Sequence, residues 1–161
     1  ATDIVQVLPG AGFPVDEIAA AVARRLGESG TSLAARLPSL RRAVCSELIR
    51  VFSRTNGLIG AAVFLPGVDF PVLTFNQTRL VLRIAAAHGQ EIDASRVPEL
   101  LAVLGGGIGF RALARELVGT VPVAGWAVKA GVAYAGTRAL GEAALRYFEA
   151  GAPLADMFPK Q

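Results

Sequence analysis

The sequence predicts an all-α fold: a compact bundle of about six helices joined by Gly/Pro hinges, allowing one short strand at the N-terminus. Three observations predict it. Apolar residues recur every three or four positions through most of the 161 residues. Glycines and prolines mark the ends of most of those periodic stretches. The composition is 53% apolar and only 18% charged, which leaves much apolar surface to be hidden by helices packing on one another. The length suits a single domain with a core of its own.

The elements follow in chain order. Residues 3–12, DIVQVLPGAG, form a β-branched run closed by Pro-Gly and carry the only strand signal. A helix follows, with Asp16 and Glu17 near its start, Ile18, Val22 and Leu26 at four-residue spacing, and Gly27 after its last turn. Residues 37–56 place Leu40, Val44, Cys45, Leu48, Ile49 and Phe52 on one face, with Arg41, Arg42, Glu47, Arg50 and Arg54 on the other. The apolar segment 57–66 is too short to span about 30 Å of hydrocarbon alone and prolongs this rod if the helix continues. Residues 67–89 open with Asp69 as N-cap and Pro71 in the first turn, and end at Gly89. In this helix Arg79 and Arg83 stand one turn apart, and the amides Asn76 and Gln77, within an apolar stretch, are expected to hydrogen-bond between helices. Two short helices, 95–104 and 110–119, flank the glycine cluster 105–107.

The last long helix, 126–148, has the length of a membrane span yet contains Lys129, Arg138, Glu142 and Arg146. Ala127, Gly131, Ala135, Ala139 and Ala143, taken every fourth residue, form a ridge of small side chains that lets another helix, or a second copy of the chain, approach closely. Arg138, Glu142 and Arg146 form a charge ladder on another face. A helix freely exposed to lipid does not carry such a ladder, so a packed or interfacial helix is expected, with residues 117–136 apolar enough to enter lipid if Lys129 snorkels.

Chemistry is scarce. The single cysteine, Cys45, lies on an apolar helical stripe and reads as a core thiol. The single histidine, His88, has no companions for a zinc site and suits a helix C-terminus. The glycines of GGGIGF, 105–110, follow a helical pattern rather than a strand, so the dinucleotide-binding context is missing, and no GxxxxGK[ST] phosphate loop or Gly-x-Ser-x-Gly elbow occurs. No cofactor or metal is expected. Fourteen of the sixteen cations are arginine, in scattered pairs, and the net charge is only +3, which argues against nucleic acid and suits anionic lipid headgroups at helix ends. The chain begins at Ala1 without a leader-like segment and is expected to belong to a longer protein.

Two stretches, FLPGVDFPVLTFNQTRLVLRIAAAHG and VPVAGWAVKAGVAYAGTRALGEAALRYFE, resemble the YcjF-like helical domain, a family of unknown function often fused to a GTPase domain and often expected at membranes. The likeness covers about residues 45–150. It rests on Pro66, Gly67, Asp69 and Pro71, on Gln77, Arg79 and Arg83, and on the Gly-Thr-Arg-x-x-Gly-Glu-Ala helix that includes Arg138 and Glu142. The N-terminal stretch is similar to the last strand and helix of a small-G-protein-type GTPase domain, with Gly10, Gly12, Phe13, Asp16, Glu17 and Ile18 in the corresponding places. The resemblance implies three parts: residues 1–30 as the remnant of an upstream GTPase-like α/β domain, 31–152 as the helical domain, and 153–161 as a tail.

The expected function is therefore non-enzymatic: a helical domain that associates with an anionic membrane surface or a partner, coupled to a GTPase-like protein. It is expected on the cytoplasmic face of the membrane, peripheral or partly inserted, or otherwise in the cytoplasm. The alternative is a soluble scaffold that homodimerises through the small-residue ridge. An enzyme using Asp69, Gln77 and Glu142 in one pocket is a third and weaker option.

Overall fold

The computed structural model describes residues 4–7, 10, 12–62, 69–90 and 125–151, and the described part is all-α. Helix α1 is Val15–Leu26, a 3-10 turn covers Gly27–Ser29, α2 is Gly30–Arg36, α3 Pro38–Ala62, α4 Asp69–Ala87 and α5 Gly125–Glu149. The short helices expected at 95–104 and 110–119, and the glycine cluster between them, lie outside the described residues. The expected N-terminal strand is not formed over its described residues: 4–7 are irregular chain, with Ile4 79% exposed. A strand needs a neighbour to take its backbone N–H and C=O groups, and there is no strand for it to pair with among the described residues.

Helix ends fall where sequence chemistry puts them. Helix α1 carries Asp16 and Glu17 in its first turn and Arg24 and Arg25 in its last, each matched to the adjacent end of the helix dipole. Gly27 ends it at φ +52°, with its N–H bonded to the carbonyl of Ala23. Helix α4 closes at Gly89 with φ +75°, where Gln90 N–H reaches back to Ala85 O at 3.0 Å, a wrap that satisfies carbonyls the helix leaves open. Helix α3 continues into the apolar segment as far as Ala62, making one 25-residue rod, and residues 63–66 lie outside the described residues. Helix α2 has too short a pattern to be read from sequence. Its last carbonyls are capped by Arg41, which donates from Nε to Ala34 O and from Nη2 to Ala35 O, both at 3.2 Å.

Helices α3, α4 and α5 form the centre. Arg42 lies near Glu149, Ile49 against Gly141, and Gly60 against Lys129 and Ala133, so α3 and α5 are antiparallel. Gln77 meets Thr137 and His88 stacks on Phe148 with 5.8 Å between ring centroids, so α4 and α5 run in the same direction. The core between them holds Val44, Cys45, Leu48, Ile49 and Phe52 of α3, Leu80, Val81 and Ile84 of α4, and Leu140, Ala144, Leu145 and Phe148 of α5. The stripe expected on α3 is this buried face, with Leu40 packed at its margin. Helix α1 packs on α3, and α2 packs on α3 and α4.

Among the described residues the small-residue ridge is not one continuous packing face, although Ala143 packs against the core. Ala127, Gly131 and Ala135 are exposed, and only Ala139 and Ala143 are half-buried. The reason is geometric. At 3.6 residues per turn each four-residue step advances about 40°, so five such positions sweep roughly 160° around the helix and cannot share one neighbour. Close approach is made by other glycines. A Cβ built at Gly60 would stand 3.0 Å from both the Lys129 carbonyl oxygen and Ala133 Cβ, one at Gly57 would stand 3.3 Å from Tyr134 Cβ, and one at Gly141 2.7 Å from Ile49 Cγ1.

Candidate functional site

The polar residues singled out in the sequence divide into three separate places. The first is a buried knot at the meeting of α3, α4 and α5. Asn56 and Thr137 are fully buried. Asn56 Nδ2 donates to Thr137 Oγ1 at 2.8 Å, Gln77 Nε2 donates to the same oxygen at 3.3 Å, and Asn76 Nδ2 donates to Asn56 Oδ1 at 2.9 Å. Thr137 Oγ1 in turn donates to Ala133 O, one turn back, at 2.8 Å. Asn76 and Gln77 thus make the interhelical bonds that amides in an apolar stretch require. The sequence reading assigns no contact to Asn56, or to Thr137, the threonine of the Gly-Thr-Arg motif, although a signal exists. Asn56 continues the stripe of Leu48 and Phe52 by one further turn, and Thr137 lies in line with Gly141, Ala144 and Phe148, so both occupy core positions of their helices.

The second is a clasp between α4 and the turn before α2. Arg83 reaches Glu28 Oε2 at 2.5 Å and its backbone oxygen at 3.2 Å, while Arg79 stands 3.6 Å from the same carboxylate. The Arg79 guanidinium also lies 5.9 Å from the ring centres of Phe52 and of Phe75, within cation–π range. Both arginines of the Gln-x-Arg-x-x-x-Arg pattern therefore have structural employment. Asp69 heads α4, and its side chain lies outside the described residues.

The third is a groove of about 480 Å³ between α3 and α5. Helix α5 presents its charge ladder here: Arg138, Glu142 and Arg146, with Tyr134 and Glu149 at the two ends. Helix α3 faces it with Arg42, Ser46, Arg50 and Ser53, and Ile49 and Leu145 give the groove its apolar wall. Arg138 Nε donates to Glu142 Oε1 at 2.8 Å. Arg50 grips both oxygens of Glu47, and that guanidinium holds the Glu47 carboxyl below its ordinary range. Among the described residues Arg42 makes only a long 3.8 Å contact with Glu149. Ser53, which also lines the groove, is fully buried, and its hydroxyl has no hydrogen-bond partner among the described residues, a loss of roughly 1–3 kcal/mol for a buried donor.

Gln77 and Glu142 are not brought together. Gln77 points into the three-helix interior at Thr137, whereas Glu142 faces the α3–α5 groove, so the carboxylate–amide pocket weighed as an enzyme site is not assembled by these two. No cluster of metal-ligating side chains occurs among the described residues. Cys45 is fully buried and burial pushes its thiol up to about 12. His88 donates from Nδ1 to Ile84 O at 2.9 Å, the end-of-helix position its sequence context suggests. No family model, curated protein or solved structure matches the chain.

Proposed function

We propose that the chain is a non-enzymatic helical domain that docks on an anionic membrane surface as the membrane-facing part of a GTPase-like protein on the cytoplasmic side. The reading includes the six-helix bundle and the upstream GTPase-like domain that the resemblance implies. The observation that carries it is an exposed apolar end. Leu58, near the C-terminus of α3, is 71% exposed, Phe75 in the second turn of α4 is 62% exposed, and Val72 and Val128 are about half exposed. The helix directions place all four beyond the Asn56–Thr137 knot, at the same end of the bundle. Arg54 is exposed and Lys129 half-buried near that end, where cations suit anionic headgroups. Among the described residues no helix is long and apolar enough to cross a membrane, and the contact proposed is burial of this end in the headgroup region.

The test is co-sedimentation of the intact protein with phosphatidylserine-containing vesicles, with and without guanine nucleotide. Two buried apolar side chains contribute roughly 1.5–3 kcal/mol each, so the Leu58→Asp, Phe75→Asp double variant is expected to lose about a hundredfold or more in binding. Unchanged binding by that variant refutes the docking end. Equal binding in both nucleotide states removes the coupling to a GTPase.

A second reading, a soluble scaffold that homodimerises, is favoured by the outward position of Ala127, Gly131 and Ala135. It expects a monodisperse dimer in detergent-free buffer that Gly131→Glu converts to monomer in sedimentation equilibrium.

A further inference from the structure

We infer that the groove between α3 and α5 binds an organic phosphate, with the phosphate held by the arginines of the ladder and the organic part laid against the apolar wall. The groove is distinct from the apolar end and the inference does not rest on it.

Three observations converge. First, the lining is rich in guanidinium: Arg42, Arg50, Arg138 and Arg146 stand against Glu142 and Glu149. Counting Glu47, which neutralises Arg50 from outside the groove, one positive charge is left over. Among the described residues Arg146 has no ion pair, and Arg42 has only its long contact, with an 82% exposed side chain. A guanidinium fork without a carboxylate matches the oxygens of a phosphate in geometry and charge. Second, the Ser53 hydroxyl is closed to solvent and, among the described residues, unpartnered. Ser53 lines the groove, and a phosphate oxygen bound there satisfies that donor. Third, Ile49, Leu145 and Tyr134 line the same space, so a bare inorganic ion leaves an apolar wall uncovered, whereas an organic phosphate covers it. The volume, about 480 Å³, lies within the usual range for small-ligand pockets.

A phosphate of this kind is presented either by a soluble ester or by a lipid headgroup, and the experiment has an arm for each. The full chain is titrated with glycerol phosphate while backbone amide shifts are followed, and is floated with phosphatidylcholine vesicles with and without phosphatidic acid. The expected result is a set of shifts centred on residues 50–54 and 138–146. Arg146→Glu is expected to weaken binding about tenfold or more, as loss of a charged hydrogen bond does, and Ser53→Ala severalfold. The Ser53→Ala chain keeps its urea midpoint at or above that of the unaltered chain, which separates loss of ligand from loss of fold. Arg36→Glu, the same charge change on exposed α2, leaves binding unaltered.

A response confined to phosphatidic acid vesicles, with the same dependence on Arg146 and Ser53, assigns the phosphate to a lipid headgroup and supports the site. The inference is overturned if Arg36→Glu and Arg146→Glu act equally, if the shifts map elsewhere, if neither arm responds, or if the groove answers only to an acidic peptide such as oligoglutamate. The Leu58→Asp, Phe75→Asp variant still binds glycerol phosphate, so failure of the membrane-docking end and failure of the groove are told apart.

Discussion

A threonine hydroxyl has one proton and two lone pairs, and Thr137 uses all three, accepting from Asn56 and Gln77 and donating to Ala133. Replacing it with valine keeps the shape and deletes the acceptor. The buried Asn56 amide then has nowhere to donate, whereas half-buried Gln77 can turn to water. Thr137→Val is expected to cost about 1–3 kcal/mol in urea unfolding, and Thr137→Ser to recover most of it. The sequence shows half of this knot. Asn76 and Gln77 stand out because amides in an apolar run need partners. Asn56 and Thr137 are hidden by polar neighbours, Arg54 and Thr55 before one and Arg138 after the other, which make each look like part of a solvated face.

Between elements, the contact of α3 with α5 is set by where a side chain is lacking. A methyl at Gly60 meets backbone at Lys129 and the Ala133 side chain at 3.0 Å, and backbone does not move aside cheaply. Gly60→Ala is expected to destabilise by about 1–2 kcal/mol even after the roughly 1 kcal/mol that alanine gains in a helix interior. Gly131 is also within a helix, but among the described residues a Cβ there meets nothing within 4 Å. Gly131→Ala is expected to stabilise by about 0.5–1 kcal/mol. Urea midpoints at constant slope decide both, and their opposite signs separate a glycine needed for approach from one that is not. Sequence alone ranks these two the other way round, because a string of small residues is conspicuous while the partner's backbone is invisible to it. The charge ladder on the same helix was readable, since a one-turn repeat of Arg138, Glu142 and Arg146 does stay near one face for two turns. What it faces, a groove made with α3, depends on a tertiary pairing that no local pattern encodes.

For the molecule as a whole, Cys45 reports on the integrity of the core. It is closed off by α3's neighbours, and burial, with Glu149 adding and Arg41 opposing, raises its thiol from 9.0 to about 12. A thiol raised in the folded state leaves stability intact below pH 9 and erodes it as pH climbs from there toward 12, because only the unfolded chain ionises. Cys45→Ala is expected to show a shallower alkaline loss of stability than the unaltered chain. In the native protein at neutral pH, labelling by a thiol reagent is expected to track global unfolding rather than local opening. The all-α class, the boundaries of α1, α4 and α5 and the start of α3 were legible because period and caps are local properties. Helix α2 was not, being a seven-residue helix too short to express a period.

The knot also works as a vernier. If α5 slid by one turn, Ala133 or Gly141 would replace Thr137; a one-turn slide of α3 would bring Phe52 or Gly60 to Asn56's place, and of α4 Leu73 or Val81 to that of Gln77. None of these carries a side-chain hydroxyl or amide, so a four-residue slide of any one rod breaks the knot. A displacement delivered through α1, which touches the centre through α3, is therefore expected to tilt or roll the rods rather than slide one by four residues along another.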